Sequence, residues 1–253
     1  MQLELTTAFP TLIGRMLIPD AEAMNQSLQA LIFGEEARHT TLGRSNIGGW
    51  HSRADFLKRP DPAVHAFTQW LTWAVRRMIE ATTGPNAFHG SLSVSAWATI
   101  CRAGAYHAPH SHPDSAWSGV YYVDSGVDSP GQELSGVLEF LDPRAGVEAV
   151  TAPGDPYGEP FRIRPQSGLL VVFPSWLYHW VHPYAGQAPR IAISFNAAAA
   201  PVTDVHRGEP ALWSTGSCAG AGAHGPNAAD DRDSAAVQSA QERTSHVDSR
   251  LIA

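Results

Sequence analysis

After residue 90 the chain breaks into short runs rich in β-branched and aromatic residues, each bounded by turn formers. The runs are SVSAWATICRA, SGVYYVD, GVLEFLD, FRIRP, GLLVVFPS, HWVHPY and RIAISFNA. Runs of this length and composition are strands. The part before them is helical. PDAEAMNQSLQALIFGEEA carries Met24, Leu28, Leu31 and Ile32 at helical spacing, with Asp20 as its expected cap. DPAVHAFTQWLTWAVRRMIEATTG has a stripe of Phe67, Trp70, Leu71, Ala74, Met78 and Ile79, with Asp61 and Pro62 suited to its start and Gly84 to its stop. Seven short strands after two helices restrict the chain to a barrel or sandwich with helices packed on one face. The predicted class is mainly β with flanking α.

The chain has 253 residues, 43% hydrophobic, enough for one sizeable core. The expected division is a domain over 1–200, helical over 1–89 and β over 90–200. A disordered tail is expected over 201–253, where STGSCAGAGAHGPNAADDRDSAAVQSAQERTSHVDSRLIA holds almost no large apolar residue to offset its ordering entropy. A formal net charge of -7 argues against attraction to nucleic acid or anionic lipid. No apolar run approaches the roughly 20 residues that span a bilayer. The start MQLELTTAFPTLIGRMLIPDAEAM is not that of a secretory leader, and Cys101 and Cys218 are the only cysteines. The expectations are no disulfide framework, a cytoplasmic location, and neither a nucleic-acid nor a membrane partner.

Chemistry concentrates in AYHAPHSHPDSAWSGVYYV, residues 105–123. Pro109 and Pro113 hold the residues before them out of the helical region, so the segment is extended. In an extended chain His110 and His112 project to one face and reach one ion together, whereas His107 sits at the opposite parity. Downstream, His179 and His182 offer a third imidazole, with His179 placed at a strand entrance. Imidazole sets suit Fe, Zn, Cu or Ni, and open positions on such a site suit oxygen chemistry at Fe(II). The plainer reading of any one histidine is a surface or hydrogen-bonded core residue.

RIAISFN alternates. Arg190, Ala192, Ser194 and Asn196 share one face, while Ile191, Ile193 and Phe195 share the other. An arginine that points into a barrel needs an anion, and its planar fork matches a carboxylate. The alternative is a structural salt bridge, with Asp142 or Glu139 as candidate partners.

The ordered set PHSHPDSAWSGVYYV, SGVLEFLDPR, IRPQSGLLVVFPSWLYHWVHP and RIAISFN resembles the 2-oxoglutarate-Fe(II) oxygenases. The resemblance covers residues 90–198, and SNIGGWHS at 45–52 matches as well. It implies a double-stranded β-helix core (a jelly roll, cupin-like) and a dioxygenase using Fe(II), 2-oxoglutarate and O2. Such an enzyme hydroxylates or otherwise oxidises an unactivated C–H bond and releases succinate and CO2. It also implies a metal held by an H-x-D/E pair and a distal histidine, with a basic residue for the co-substrate. His110, His179 and Arg190 match these positions. His112 departs from the pattern, leaving His112 or Asp114 as the third ligand, and strand parity favours His112.

Near Arg190, Ser194 is the nearest candidate hydroxyl for the co-substrate, and Tyr121 is a candidate donor. Asn46, Trp50 and His51 of the glycine-rich loop, with Trp117 and Asn196, are candidate substrate contacts, although large aromatics are structural by default. DPRAGVEAVTAPGDPYGEP reads as a long hairpin insertion, a lid or an ordinary connection. The expected substrate is a small molecule, and a homodimer is the candidate assembly. The competing classes are a non-enzymatic cupin-like binding module and a three-histidine dioxygenase that needs no 2-oxoglutarate. Truncation after residue 205 should leave the melting temperature nearly unchanged, because the segment has little apolar area to bury. A drop of many degrees in a thermal melt would show that the tail docks.

Overall fold

Helix α2 (Pro62–Thr83) forms where the apolar stripe is continuous, and its ends are set by local chemistry. The Asp61 side chain accepts from the Ala63 N–H at 2.8 Å, Pro62 occupies the first turn, and Gly84 closes the helix at φ 96°. Helix α1 (Glu22–Glu36) also lies where expected, but Asp20 is not its cap. Ala21 holds the N-cap position without a side-chain bond, and Asp20 takes a left-handed φ of 50° one residue earlier.

The structure, a computed structural model, describes residues 3–127, 130–151, 153 and 160–200. The expected tail lies outside these residues, as do residues 152 and 154–159 of the hairpin insertion. No helix among the described residues is long and apolar enough to cross a membrane.

The strands are β1 (Gly14–Leu17), β2 (Asn46–Ile47), β3 (Trp50–His51), β4 (Ser91–Cys101), β5 (Tyr106–His110), β6 (Trp117–Asp124), β7 (Leu138–Phe140), β8 (Phe161–Ile163), β9 (Leu169–Pro174), β10 (His179–Val181) and β11 (Arg190–Ala200). They form two antiparallel sheets. The larger runs β1-β9-β6-β11-β4-β3 and the smaller β2-β5-β10-β7-β8. This is the jelly-roll core.

The larger sheet is apolar on both faces, because both are covered. On its outer face Ile191, Ile193, Phe195, Tyr121, Val123, Leu170 and Val172 pack with Leu28, Ile32, Phe67, Leu71 and Val75 of the two helices. On its inner face Val120, Tyr122, Val171, Phe173 and Ala192 meet Leu138, Phe140, Ile163 and Val181 of the smaller sheet. Gly119 of β6 is required by close approach: a Cβ there would lie 2.3 Å from both the Val171 carbonyl oxygen and the Phe195 ring.

The smaller sheet carries its own polar brace. Glu139 of β7 accepts from Arg162 Nε at 2.6 Å, Trp180 Nε1 at 3.0 Å and His182 Nε2 at 3.0 Å. Burial alone would raise its pKa, but these hydrogen bonds outweigh it and hold Glu139 below the usual carboxylate range. The brace is therefore intact above the ordinary carboxylate pKa and is lost as pH falls through the lowered folded value. Glu139→Ala strips the partners of Trp180 and His182 and should cost about 1–3 kcal/mol. A thermal melt should then drop by roughly 3–10 °C. An unchanged melt would show that the brace adds nothing net.

Candidate active site

Register across the smaller sheet assembles the site. His110 at the end of β5 is paired directly with His179 at the start of β10, so both rings leave the same face, with centroids 4.4 Å apart. His112 lies two residues beyond β5. Its backbone N–H donates to the Ser175 carbonyl at 2.9 Å, and its ring stands 4.9 Å from that of His110 and 5.2 Å from that of His179. One nitrogen from each of the three lies within 4.8 Å of the others.

Local backbone decides which nitrogen is free. His110 Nδ1 lies 2.7 Å from the Ala108 carbonyl, and His179 Nδ1 lies 2.8 Å from that of Leu177. A carbonyl only accepts, so both Nδ1 atoms carry the proton and both Nε2 atoms present lone pairs. Burial, helped by the neighbouring His110 and His112, pulls His179 down to about 3. Burial and His110 pull His112 down to about 4, and burial lowers His110 as well. All three are neutral at pH 7, the form that ligates.

This donor set fits a divalent metal. Ligand nitrogens at about 2.0–2.1 Å from an ion stand roughly 3–4 Å from one another, within a small side-chain adjustment of the spacing found. Asp114 is not brought to the cluster: it is exposed, in a turn with φ 70°. His182 is also outside, held by Glu139 on the opposite face of β10.

The three rings open onto a cavity of about 470 Å³. At its base is Arg190, only 3% exposed. Neither carboxylate proposed for it reaches it: Glu139 pairs with Arg162 and His182, and Asp142 with Arg144. Arg190 Nη1 donates to Cys101 Sγ at 3.5 Å, and its guanidinium lies over the Tyr122 ring at 5.2 Å. Its Nε and the Tyr122 hydroxyl are both buried without a hydrogen-bond partner. Two orphaned donors thus share one end of the cavity, where each unmet group costs about 1–3 kcal/mol. Gly136, at φ 66°, lets the chain before β7 cross Arg190, since a Cβ there would sit 3.2 Å from Arg190 Cδ.

Ser194, Asn196 and His51 line the cavity. Asn196 accepts from the Ser118 hydroxyl at 2.8 Å, and His51 stacks on Trp97 with centroids 5.6 Å apart. Four expected contacts lie elsewhere. Tyr121 points to the helices, packing on Phe67 and donating to Asn25 at 2.5 Å. Its register partner is the outward Ile193, whereas Tyr122 pairs with the inward Ala192. Trp117, paired with Ala197, and Trp50, paired with Ile100, join the same outer core, and Trp50 donates to the His39 carbonyl at 2.9 Å. Asn46 spends its amide on its own loop, donating to Gly49 O at 3.0 Å and accepting from Arg44 N at 2.9 Å.

Of the lining residues, Arg44, Ser45 and Tyr122 had no clear sequence signal, while Trp97 and His107 line the cavity although the sequence favoured a structural role for Trp97 and the opposite parity for His107. His107 enters despite its parity because the β5–β10 register shifts between His179 and Val181, so that it pairs with Val181. Burial and Arg190 hold it at about 3, and its Nε2 lies 3.6 Å from Cys101 Sγ.

The strands that build this cavity coincide with a family match. Residues 95–196 match the family model described as "Putative 2OG-Fe(II) oxygenase". The match spans less than half of the chain. Fe(II) and 2-oxoglutarate are the family's cofactors, and the family is one of oxidoreductases. Among solved structures, a prolyl-4-hydroxylase from Pseudomonas putida is similar at 18% identity and TM-score 0.53, over 74% of this chain and 91% of that one. A prolyl hydroxylase from Trichoplax adhaerens, solved with a peptide of hypoxia inducible factor, matches at 15% identity and TM-score 0.51, over 74% and 83%. The α-ketoglutarate dependent epimerase SnoN of nogalamycin biosynthesis matches at 13% identity and TM-score 0.51, over 74% and 76%. At such identities the likeness shows the fold. No curated protein matches the sequence.

Metal binding separates the two candidate third ligands. His112→Ala opens a coordination position and should cost most of the iron affinity, as should His110→Ala and His179→Ala. Asp114→Ala should cost no more than roughly 10-fold. Iron content after dialysis checks this, and loss with Asp114→Ala but not His112→Ala would reverse the assignment.

Proposed function

We propose that this domain is an Fe(II)- and 2-oxoglutarate-dependent dioxygenase that oxidises an unactivated C–H bond of a small molecule, releasing succinate and CO2. One observation carries the reading: Arg190, buried and without a carboxylate partner among the described residues, at the base of a cavity onto which three neutral imidazoles converge. When bound, Fe(II) with 2-oxoglutarate and O2 supplies the oxidation, placing one oxygen atom in the substrate and the other in succinate.

His110, His112 and His179 would hold the metal. Arg190 would take the distal carboxylate of 2-oxoglutarate through its fork, with Tyr122 as the second donor and Ser194 the nearest further hydroxyl. That assignment satisfies both orphaned donors at once. Val120, Leu138, Phe173 and Val181 line the cavity and keep water from the co-substrate. The volume, about 470 Å³, is of the size that takes a metabolite, which supports a small-molecule substrate.

Succinate formation from 2-oxoglutarate, with Fe(II) and ascorbate present, tests the reading against a binding module and against a three-histidine dioxygenase that needs no co-substrate. Neither would form succinate. Arg190→Ala removes a buried charged hydrogen bond worth about 2–5 kcal/mol, so KM for 2-oxoglutarate should rise on the order of 30-fold or more. An unchanged KM would make the arginine structural.

A further inference from the structure

The cavity wall holds two charged residues, Arg190 at the base and Arg44, and no aspartate or glutamate. That is notable in a chain with 24 carboxylate side chains against 17 lysines and arginines. Several arginines elsewhere are matched, Arg59 with Glu35, Arg77 with Glu80, Arg102 with Glu36 and Arg162 with Glu139. Arg44 makes no ion pair among the described residues, and it is exposed.

Arg44 is mounted close to the metal-site histidines. The next residue, Ser45, places its hydroxyl 3.3 Å from His110 Nε2 and its carbonyl 3.0 Å from the Ala108 N–H. The backbone of Arg44 is fixed by Asn46, and Thr41 ties the same loop to Gly49 O and His51 N at 3.2 and 3.0 Å. The field of Arg44 also helps depress His51, which stacks on Trp97. Arg44 thus lines the cavity from a loop whose backbone is held in place next to His110, and Trp97 belongs to the same lining.

We infer that the primary substrate is a small carboxylate whose anionic group is held by Arg44 and whose body lies against Trp97. The inference rests on the functional reading above and names its substrate class. With three neutral ligands, a divalent metal and doubly charged 2-oxoglutarate cancel, and the two guanidiniums remain. Arg190 serves the co-substrate, leaving Arg44 for the substrate. A cleft lined by one sign of charge concentrates the opposite ion and disfavours cations.

The test uses the full chain loaded with Zn(II) and saturating 2-oxoglutarate, so that binding is read without turnover. Benzoate, phenylacetate and cyclohexanecarboxylate are titrated beside their primary amides, with saturation-transfer NMR as the readout. The acids should bind at least about tenfold more tightly than the amides, as the loss of a charged hydrogen bond requires. Arg44→Gln should abolish that preference and Arg44→Lys should keep most of it. Neither should move 2-oxoglutarate affinity by more than about threefold, because an exposed charge acts through screening solvent. Equal binding of acid and amide, binding of neither, or a preference that survives Arg44→Gln would overturn the proposal. Failure of 2-oxoglutarate itself to bind would instead strike at the reading of Arg190, so the two failures are distinguishable.

Discussion

The alternation of one strand, β11, organises the molecule. Its odd-numbered residues from Ile191 to Ala197 are buried against the helices, and its even-numbered residues from Arg190 to Asn196 line the cavity. Because side chains leave a strand with a period of two, one register places the helix-facing core and the cavity base at once. A slip of one residue would drive a guanidinium into the apolar layer under α2 and expose three large apolar side chains to the cavity. Pairing with β4 along its whole length and with β6 from Ile191 to Ala197 secures the register.

The same strand explains what was legible in the sequence. Strong alternation made the two faces of RIAISFN readable, and all seven predicted runs are strands. The H-x-H pair between prolines and the distal histidine likewise carried their own geometry. What failed were choices that local pattern cannot make. Tyr121 and Tyr122 are chemically identical neighbours, and only the pairing with Ile193 and Ala192 separates them. Trp50 and His51 differ in the same way, through the partners Ile100 and Thr99. Short strands such as β2 and β3 hold two residues each, too few to show any period. His107 was misplaced by a register shift that single-chain parity does not contain. Asn46 stands in a loop suited to function, yet its amide is consumed in holding that loop's shape.

Electrostatically the site is unusual in what it lacks. A buried guanidinium is normally repaid by a carboxylate, and its solitary burial costs several kcal/mol. Here the compensation available within the protein is a thiol, the face of a tyrosine ring and nearby neutral imidazoles. The fold tolerates this because the two sheets and helices supply a large apolar core on either side. An anion that binds at Arg190 recovers energy already spent in folding, which is how a small dicarboxylate could be held tightly by few contacts.

The carbonyls of Ala108 and Leu177 have a wider consequence. Each sits two residues before the histidine it fixes, so the protonation pattern of that imidazole is written in the adjoining chain and needs no distant residue. Ser45 of the loop over 41–52 touches His110 Nε2, but the Leu177 carbonyl that sets His179 lies apart from that loop. Leu42, Arg44 and Trp97 line the cavity without touching either carbonyl, so substitutions there would reshape the cavity without altering the bonds that hold Nδ1 of His110 and His179.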